Sequence, residues 1–230
     1  MATLNAIHGH PQQNSYLSIA EADAYFASRL NSTDFTGASE ANKTAALIEA
    51  TSRIDAHRFV GTRMFRNQAL DFPRQFESNE LGVRSGTAQT SDTTYVTDSN
   101  LSSAADMYFD DYFNYWAVML TSGNLQYQLF LVTDFDQSDG KVTAAFGTAP
   151  SIGSSFTLVP PPPKAIRDAV CEEAIALIGG DVEDVDPKVK AFAVGNYSET
   201  RTTSGDYKPT LSSKARAMID EYISRTGVID

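Results

Sequence analysis

The chain has 230 residues, of which 42% are hydrophobic and 20% charged, a composition that folds around an apolar core and lies outside the disordered class. Its formal net charge is -11 and its pI about 4.6. With no run of lysines or arginines, this weighs against a function that draws its affinity from neutralising phosphates. No apolar run approaches the roughly 18 residues of a membrane span, and "MATLNAIHGHPQQN" lacks the basic start and apolar core of a secretory signal. The sequence therefore predicts a protein made and used without crossing a membrane by its own instructions.

That opening stretch reads as mobile. His8 and His10 stand two apart in it, without the further ligands that a dedicated metal site needs. The first helix is announced by "SIAEADAYFASRL", where Ser18 and Glu21 have the spacing of a capping box and Ile19, Ala22, Phe26 and Leu30 share a face. A second helix is expected from near Ser39 to near Gly61. Its stripe is Leu47, Ala50, Ile54 and the aliphatic stem of Arg58. The helical pattern gives out around "QALDFPR", Gln68 to Arg74.

From Gly82 to Pro160 the period changes. Short apolar runs at 93–97, 116–121, 126–135, 141–146 and 155–159, each bounded by Gly, Ser, Asn or Asp, predict five strands. Strands at this spacing suggest a small antiparallel sandwich or barrel. The aromatic crowd "MYFDDYFNYW", which contains the only tryptophan, Trp116, reads as core and rim of that module. After Pro160 to Pro163 a third helix is predicted, with Ile166, Ala169, Val170, Ala174, Leu177 and Ile178 on its apolar face and an end at Gly179-Gly180. The stretch Val194 to Pro209 has no helical period and reads as an extended arm or hairpin. A last helix runs from about Ser212 to Ser224, with Ala215, Met218, Ile219 and Tyr222 on one side.

The expected fold class is α+β: a small helical bundle of about four helices plus an extended arm, interrupted by an inserted antiparallel β-sandwich or barrel. The expected boundaries are 1–82 for the first helical part, 83–159 for the β module and 160–230 for the second helical part.

No catalytic constellation is visible. The sequence has no Gly-rich phosphate loop, nucleophile elbow, zinc-protease motif or paired-cysteine spacing. The single cysteine, Cys171, falls in a helical pattern and reads as a small core residue; pairing it with His57 as a thiol hydrolase is disfavoured because helix packing explains both positions. Acidic clusters at Asp110-Asp111, Asp134/Asp136 and Asp181 to Asp186 lack the order of a calcium loop. The expectation is a non-enzymatic protein with no catalytic residues, no cofactor and no metal, acting by shape and surface.

"SYLSIAEADAYFASRL", "KTAALIEATSRIDAHRFVGTRMFRNQALDFPR" and "PPKAIRDAVCEEAIALIGG", in that order, resemble the head-tail connector or neck adaptor proteins of tailed bacteriophages. The long stretch from "SGTAQTSDTTYVT" to "SFTLV" is similar to a β module that recurs in phage structural proteins. The resemblance implies a virion protein, made in the host cytoplasm, that forms a ring of twelve copies at the portal vertex. Its implied partners are the portal protein, other neck or tail proteins and itself, with DNA passing through without specific binding and no membrane contact. In this reading the arm and last helix reach the portal or the next subunit through Val194, Tyr197, Arg201, Tyr207, Met218 and Tyr222, and an acidic channel wall keeps phosphates from lodging. Two alternatives stand beside it. One is a single-stranded-DNA-binding accessory role, since this kind of helical amino-terminal half also resembles sequences given a primosome-type label; the interleaving of aromatics with Asp and Asn speaks against it. The other is a carbohydrate-binding β module using Tyr112, Tyr115 or Trp116.

Overall fold

The computed structural model describes residues 3–75, 83–102, 109–180, 189–193, 198–201 and 211–224, with 189–193 and 198–201 described by backbone alone. In chain order the elements are α1 (Ile19–Ala27), α2 (Thr33–Thr36), α3 (Glu40–Asp55), β1 (Thr62–Arg63), β2 (Arg74–Gln75), β3 (Arg84–Thr87), β4 (Thr90–Ser91), β5 (Tyr95–Thr97), α4 (Ser99–Ser102), β6 (Ala117–Leu120), β7 (Leu129–Asp136), β8 (Lys141–Ala144), β9 (Ser155–Val159), α5 (Lys164–Gly179), β10 (Val189–Ala193), β11 (Ser198–Arg201) and α6 (Ser213–Ile219). They fall into two units. One comprises Met1–Thr3, Leu17–Val60 and Lys164–Asp230; the other comprises Leu4–Tyr16 and Gly61–Pro163.

The second unit is dominated by one antiparallel seven-stranded sheet in the order β3-β9-β6-β7-β8-β5-β4. Its shape follows from a constraint of connection. The two edge strands, β3 and β4, are successive in the chain with only Ala88 and Gln89 between them, so the sheet has to curl until its edges approach. β7 supplies a corner. Its first half pairs with β6 and its second half with β8, and the register slips between Val132 and Asp134, which adds a residue to one strand and bends it. The result is a curled half-barrel. Its concave side is filled by Phe113, Trp116, Val118, Leu120, Val132, Phe135, Val142, Phe156 and Leu158. Alternation does the sorting: in β8 and β9, residues one apart face the core and its opposite side in turn.

The edge-to-edge step is pinned by one buried carboxylate. Asp98 accepts the Thr87 N–H at 2.7 Å and the Asn100 N–H at 2.9 Å, and Gln89 Nε2 lies 3.4 Å away. Its own N–H donates to the Gly140 carbonyl at 3.0 Å. Gly140 has φ +60°, and a Cβ there would stand 2.1 Å from the Asp98 carbonyl oxygen, so only glycine allows the approach.

The first unit contains α1, α2, α3, α5 and α6. The Ser18 capping box is present, with Glu21 Oε2 accepting the Ser18 N–H at 2.8 Å, and Ser39 caps α3 through the Asn42 N–H at 3.2 Å. α3 packs on α5 and α5 on α6, and Phe26, Phe35, Leu47, Ile54, Ile166, Val170 and Ile219 are fully buried or nearly so. Each such side chain contributes roughly 1.5–3 kcal/mol through burial. Three carboxylates are buried with them. Glu21 meets Arg167 at 3.2 Å; Glu172 accepts the Tyr25 hydroxyl at 2.7 Å and lies 3.4 Å from Lys214; Glu173 accepts the Ser212 N–H at 2.7 Å and lies 3.7 Å from Arg53. Burial first, and then the Glu172 carboxylate, hold the Tyr25 phenol well above its ordinary range. Burial likewise pushes the Cys171 thiol up, which leaves it protonated and inert.

These observations correct the expected fold class. The molecule is mostly one curled seven-stranded antiparallel sheet with few helices, not a helical bundle carrying an inserted β-sandwich or barrel. The physical reason is that β3 and β4, "RSGT" and "TS", have almost no apolar residues and give no strand signal, yet they complete the sheet through backbone pairing. Smaller differences are local. Leu30, expected on the apolar face of α1, is 94% exposed because the helix ends at Ala27. α3 ends at Asp55 rather than near Gly61, which leaves Arg58 exposed, and α6 ends at Ile219 rather than Ser224. No helix among the described residues is long and apolar enough to cross a membrane.

Two outcomes are expected. Asp98→Ala should cost about 3 kcal/mol by stranding buried N–H groups, and Trp116 fluorescence in a urea titration reports it, since the only tryptophan lies in that core. Glu173→Ala should cost the helical unit about 1–3 kcal/mol, because the Ser212 amide loses its buried acceptor while Arg53 keeps Glu49 at 3.0 Å; loss of the 222 nm circular dichroism on heating then occurs at lower temperature.

Candidate nucleic-acid interface

The segment Gly61–Gln75 carries three arginines, Arg63, Arg66 and Arg74, against one acid, Asp71, a local excess of positive charge in a chain of net charge -11. It is closed at its base by the short β1–β2 ladder, where Thr62 faces Gln75 and Arg63 faces Arg74. The loop between is braced from inside by Gln68, which is 4% exposed. Its Oε1 accepts the Phe65 N–H at 2.8 Å, and its Nε2 donates to the carbonyls of Leu70 at 2.8 Å and Pro73 at 3.1 Å. Met64 N–H adds a bond to the Pro73 carbonyl at 3.0 Å. The Phe72–Pro73 bond is cis. One glutamine thus bonds three backbone groups of the loop, of which the Pro73 carbonyl also accepts the Met64 N–H.

The amino-terminal segment backs this loop. The Tyr16 hydroxyl accepts the Phe72 N–H at 3.3 Å, and the two rings meet edge to face at 5.7 Å. Gly9, at φ +80°, lets the Phe65 ring approach so closely that a Cβ would lie 2.7 Å from it. This corrects the expectation of a mobile start. The segment is folded into turns: Gln13 Oε1 accepts the Gly9 N–H at 3.1 Å, His8 is buried, and His10 Nδ1 accepts the Gln12 N–H at 3.0 Å, which assigns the histidines to packing and turn formation.

Arg63 and Arg66 are exposed, Phe65 is half-buried between them, and Arg74 is half-buried at the ladder. Asp71 holds two of the three guanidinium groups, with Arg63 Nη2 at 2.7 Å and Arg74 Nη1 at 3.1 Å. Arg74 also donates Nη2 to the Gly61 carbonyl. A guanidinium is a planar fork that matches the two free oxygens of a phosphate or carboxylate, so the loop presents anion-binding chemistry at a fixed place.

The β module offers the opposite electrostatics. Residues 83–159 contain two cations, Arg84 and Lys141, against eight aspartates. Phe109, Tyr115 and Tyr127 are exposed at 66%, 39% and 73%, but beside Asp110 and Asp111 they make a poor seat for a phosphate backbone. Trp116, one of the rings considered for carbohydrate, is 7% exposed and stacked edge-on against Phe113 at 5.1 Å, which removes it as a platform.

Of the six residues expected to meet partners, Met218 and Tyr222 alone have described side chains. Val194, Tyr197 and Tyr207 lie outside the described residues, and Arg201 is described by backbone alone in β11. Met218 is half-buried on α6. Tyr222 is half-buried and accepts the Val60 N–H through its carbonyl at 2.9 Å, and burial followed by Glu221 raises its phenol above the ordinary range. The arginine loop contains no run of cations and so lacks the usual sequence mark of a phosphate-binding segment. Its signal is interleaving: Arg58, Phe59, Arg63, Phe65, Arg66, Phe72 and Arg74 in seventeen residues.

Residues 5–107 match a family model described as "Putative DnaT-like ssDNA binding protein". The match covers a little under half of the chain and includes the arginine loop. No curated protein and no solved structure matches the chain. The match overturns the head-tail connector assignment and the virion neck role drawn from it, since it spans two of the three stretches that carried the resemblance and describes a different family. The portal, neck and tail partners lose their support, and the picture of DNA as a passenger that is never bound conflicts with the description of the matched family.

Gln68→Ala should loosen the loop by about 1–3 kcal/mol, because it takes the side-chain partner from the Phe65 N–H and the Leu70 carbonyl and one of two donors from the Pro73 carbonyl. Native-state hydrogen exchange is expected to quicken roughly 10- to 100-fold at the Phe65 and Met64 amides, with the sheet amides unchanged.

Proposed function

We propose that this chain is a single-stranded-DNA-binding accessory protein, acting without catalysis, and that the Gly61–Gln75 loop is its contact. The observation that carries the reading is the position of this loop: the braced, arginine-bearing segment lies inside the stretch that matches a family described as binding single-stranded DNA.

Charge then selects the kind of nucleic acid. A duplex carries one phosphate charge per about 1.7 Å of axis and a single strand about half that density. A body of net charge -11 repels the denser polymer more strongly. A flexible strand can bend two or three phosphates onto a small basic loop and hold the rest of its backbone away from the acidic surface. Phe65, half-buried between Arg63 and Arg66, adds a ring edge against which a base can pack. With only two or three phosphates neutralised, binding is weak, and the slope of log K against log salt is about -1.4 to -2, from about -0.7 per phosphate.

The test is fluorescence anisotropy with a labelled oligothymidylate longer than the roughly 16 nucleotides of a large single-fold site. At low salt the wild type is expected to bind, with the duplex of the same length binding less. Arg63→Ala combined with Arg66→Ala should lower affinity by about tenfold or more and flatten the salt slope. Absence of salt-sensitive binding by the wild type would sink the reading.

A further inference from the structure

Two of the three guanidinium groups in the loop converge on one carboxylate. Arg63 directs Nε and Nη2 to Asp71 Oδ1 at 2.8 and 2.7 Å, and Arg74 Nη1 stands 3.1 Å from Oδ2. The Arg74 side chain is held in place by the Gly61 carbonyl and, at 3.5 Å, by the Asp71 carbonyl, so it does not follow the carboxylate if that group moves. Arg63 is 46% exposed and can be reached from solvent. Two forks aimed at a pair of oxygens that share one negative charge is also the geometry that a phosphodiester requires, with its two free oxygens and single charge.

We propose that Arg63 and Arg74 form a single phosphodiester site, that Asp71 occupies it in the free chain, and that a strand phosphate enters by displacing the Asp71 side chain. The inference rests on the single-stranded-DNA reading above and adds to it which phosphate contact is held closed. The exchange replaces one anion by another. Asp71 and Arg74 are mostly buried, at 16% and 10% exposure, while Arg63 is open to solvent, and a strand already engaged at Arg66 presents its neighbouring phosphate at high effective concentration. A polymer of phosphates therefore opens the site where an isolated anion does not. Wild-type binding accordingly releases fewer ions than three arginines would predict.

The experiment measures oligothymidylate binding over a potassium chloride series for the wild type, Asp71→Asn, Arg63→Ala and the Asp71→Asn/Arg63→Ala double variant. Asparagine keeps the size of the side chain, and amide exchange at Phe65 checks that the loop retains its form. Asp139→Asn, at an exposed carboxylate of the β unit, makes the same change in net charge away from the loop. Asp71→Asn should tighten binding about threefold to tenfold at low salt and steepen the salt slope by about 0.7, one further phosphate. Asp139→Asn should do neither, and the gain should vanish in the double variant. Unchanged or weaker binding with an unchanged slope in Asp71→Asn, or a gain that survives removal of Arg63, would overturn the shared site and leave Asp71 a positioning residue. If neither the wild type nor any variant binds, the single-stranded-DNA reading itself falls along with the site; wild-type binding that Asp71→Asn fails to improve removes the site alone.

Discussion

The curled sheet depends on Asp98. A chain that places β3 at one edge and β4 at the other, two residues apart, has to reverse from one ladder to the next without room for a conventional turn. Within the reversal the Ala88 and Gln89 amides go to the Ser154 and Thr97 carbonyls, while the Thr87 amide just before it goes to a carboxylate 1% exposed that also accepts the Asn100 amide of α4, which ties the end of β3 to the segment after β5. The rest of the β unit follows. The core residues on β6, β7, β8 and β9 can meet only if the sheet is curled, and Gly140 is required because the chain passes against the Asp98 backbone.

The acidity of the chain is spent in two distinct ways. Some carboxylates are structural: Asp98 in the sheet unit, and Glu21, Glu172 and Glu173 among the helices, each accepting from or paired with an amide, a hydroxyl or a cation. Buried charges of this kind add little net stability, but removing one partner alone is costly. Other carboxylates stay in solvent, as at Asp110, Asp111 and Asp139, and set the long-range field. Against that field a small loop with three arginines is a local inversion, and its reach is limited to about a screening length. The location of the basic residues therefore says more about binding than the total charge does.

The parts legible in the sequence were those with a local code. Ser18 and Glu21 announced α1, the 3.6-residue stripe of Leu47, Ala50 and Ile54 announced α3, and the run from Ile166 to Ala174 announced α5. The five apolar runs between 93 and 159 coincide in most of their length with β5, β6, β7, β8 and β9. What was not legible depended on pairing at a distance. β3 and β4 are polar and short, and only their partners β9 and β5 make them strands, so the sheet was undercounted and its curl missed. The candidate site was readable in part. Arg63, Arg66 and Arg74 could have been picked out by counting charge in a fifteen-residue window, but the bracing role of Gln68 and the backing of the loop by Tyr16 and Gly9 link residues up to 56 apart and have no sequence signature.

The division of the chain also has a temporal consequence. The unit containing the sheet uses Leu4–Tyr16 and Gly61–Pro163, so all of its parts are synthesised before α5 and α6. The helical unit cannot finish then: α1 and α3 have been synthesised, but the faces bearing Phe26, Leu47 and Ile54 await α5. Maturation during translation is thus ordered, middle before ends, with two early helices left as sticky intermediates whose exposure lasts as long as synthesis of the intervening hundred residues.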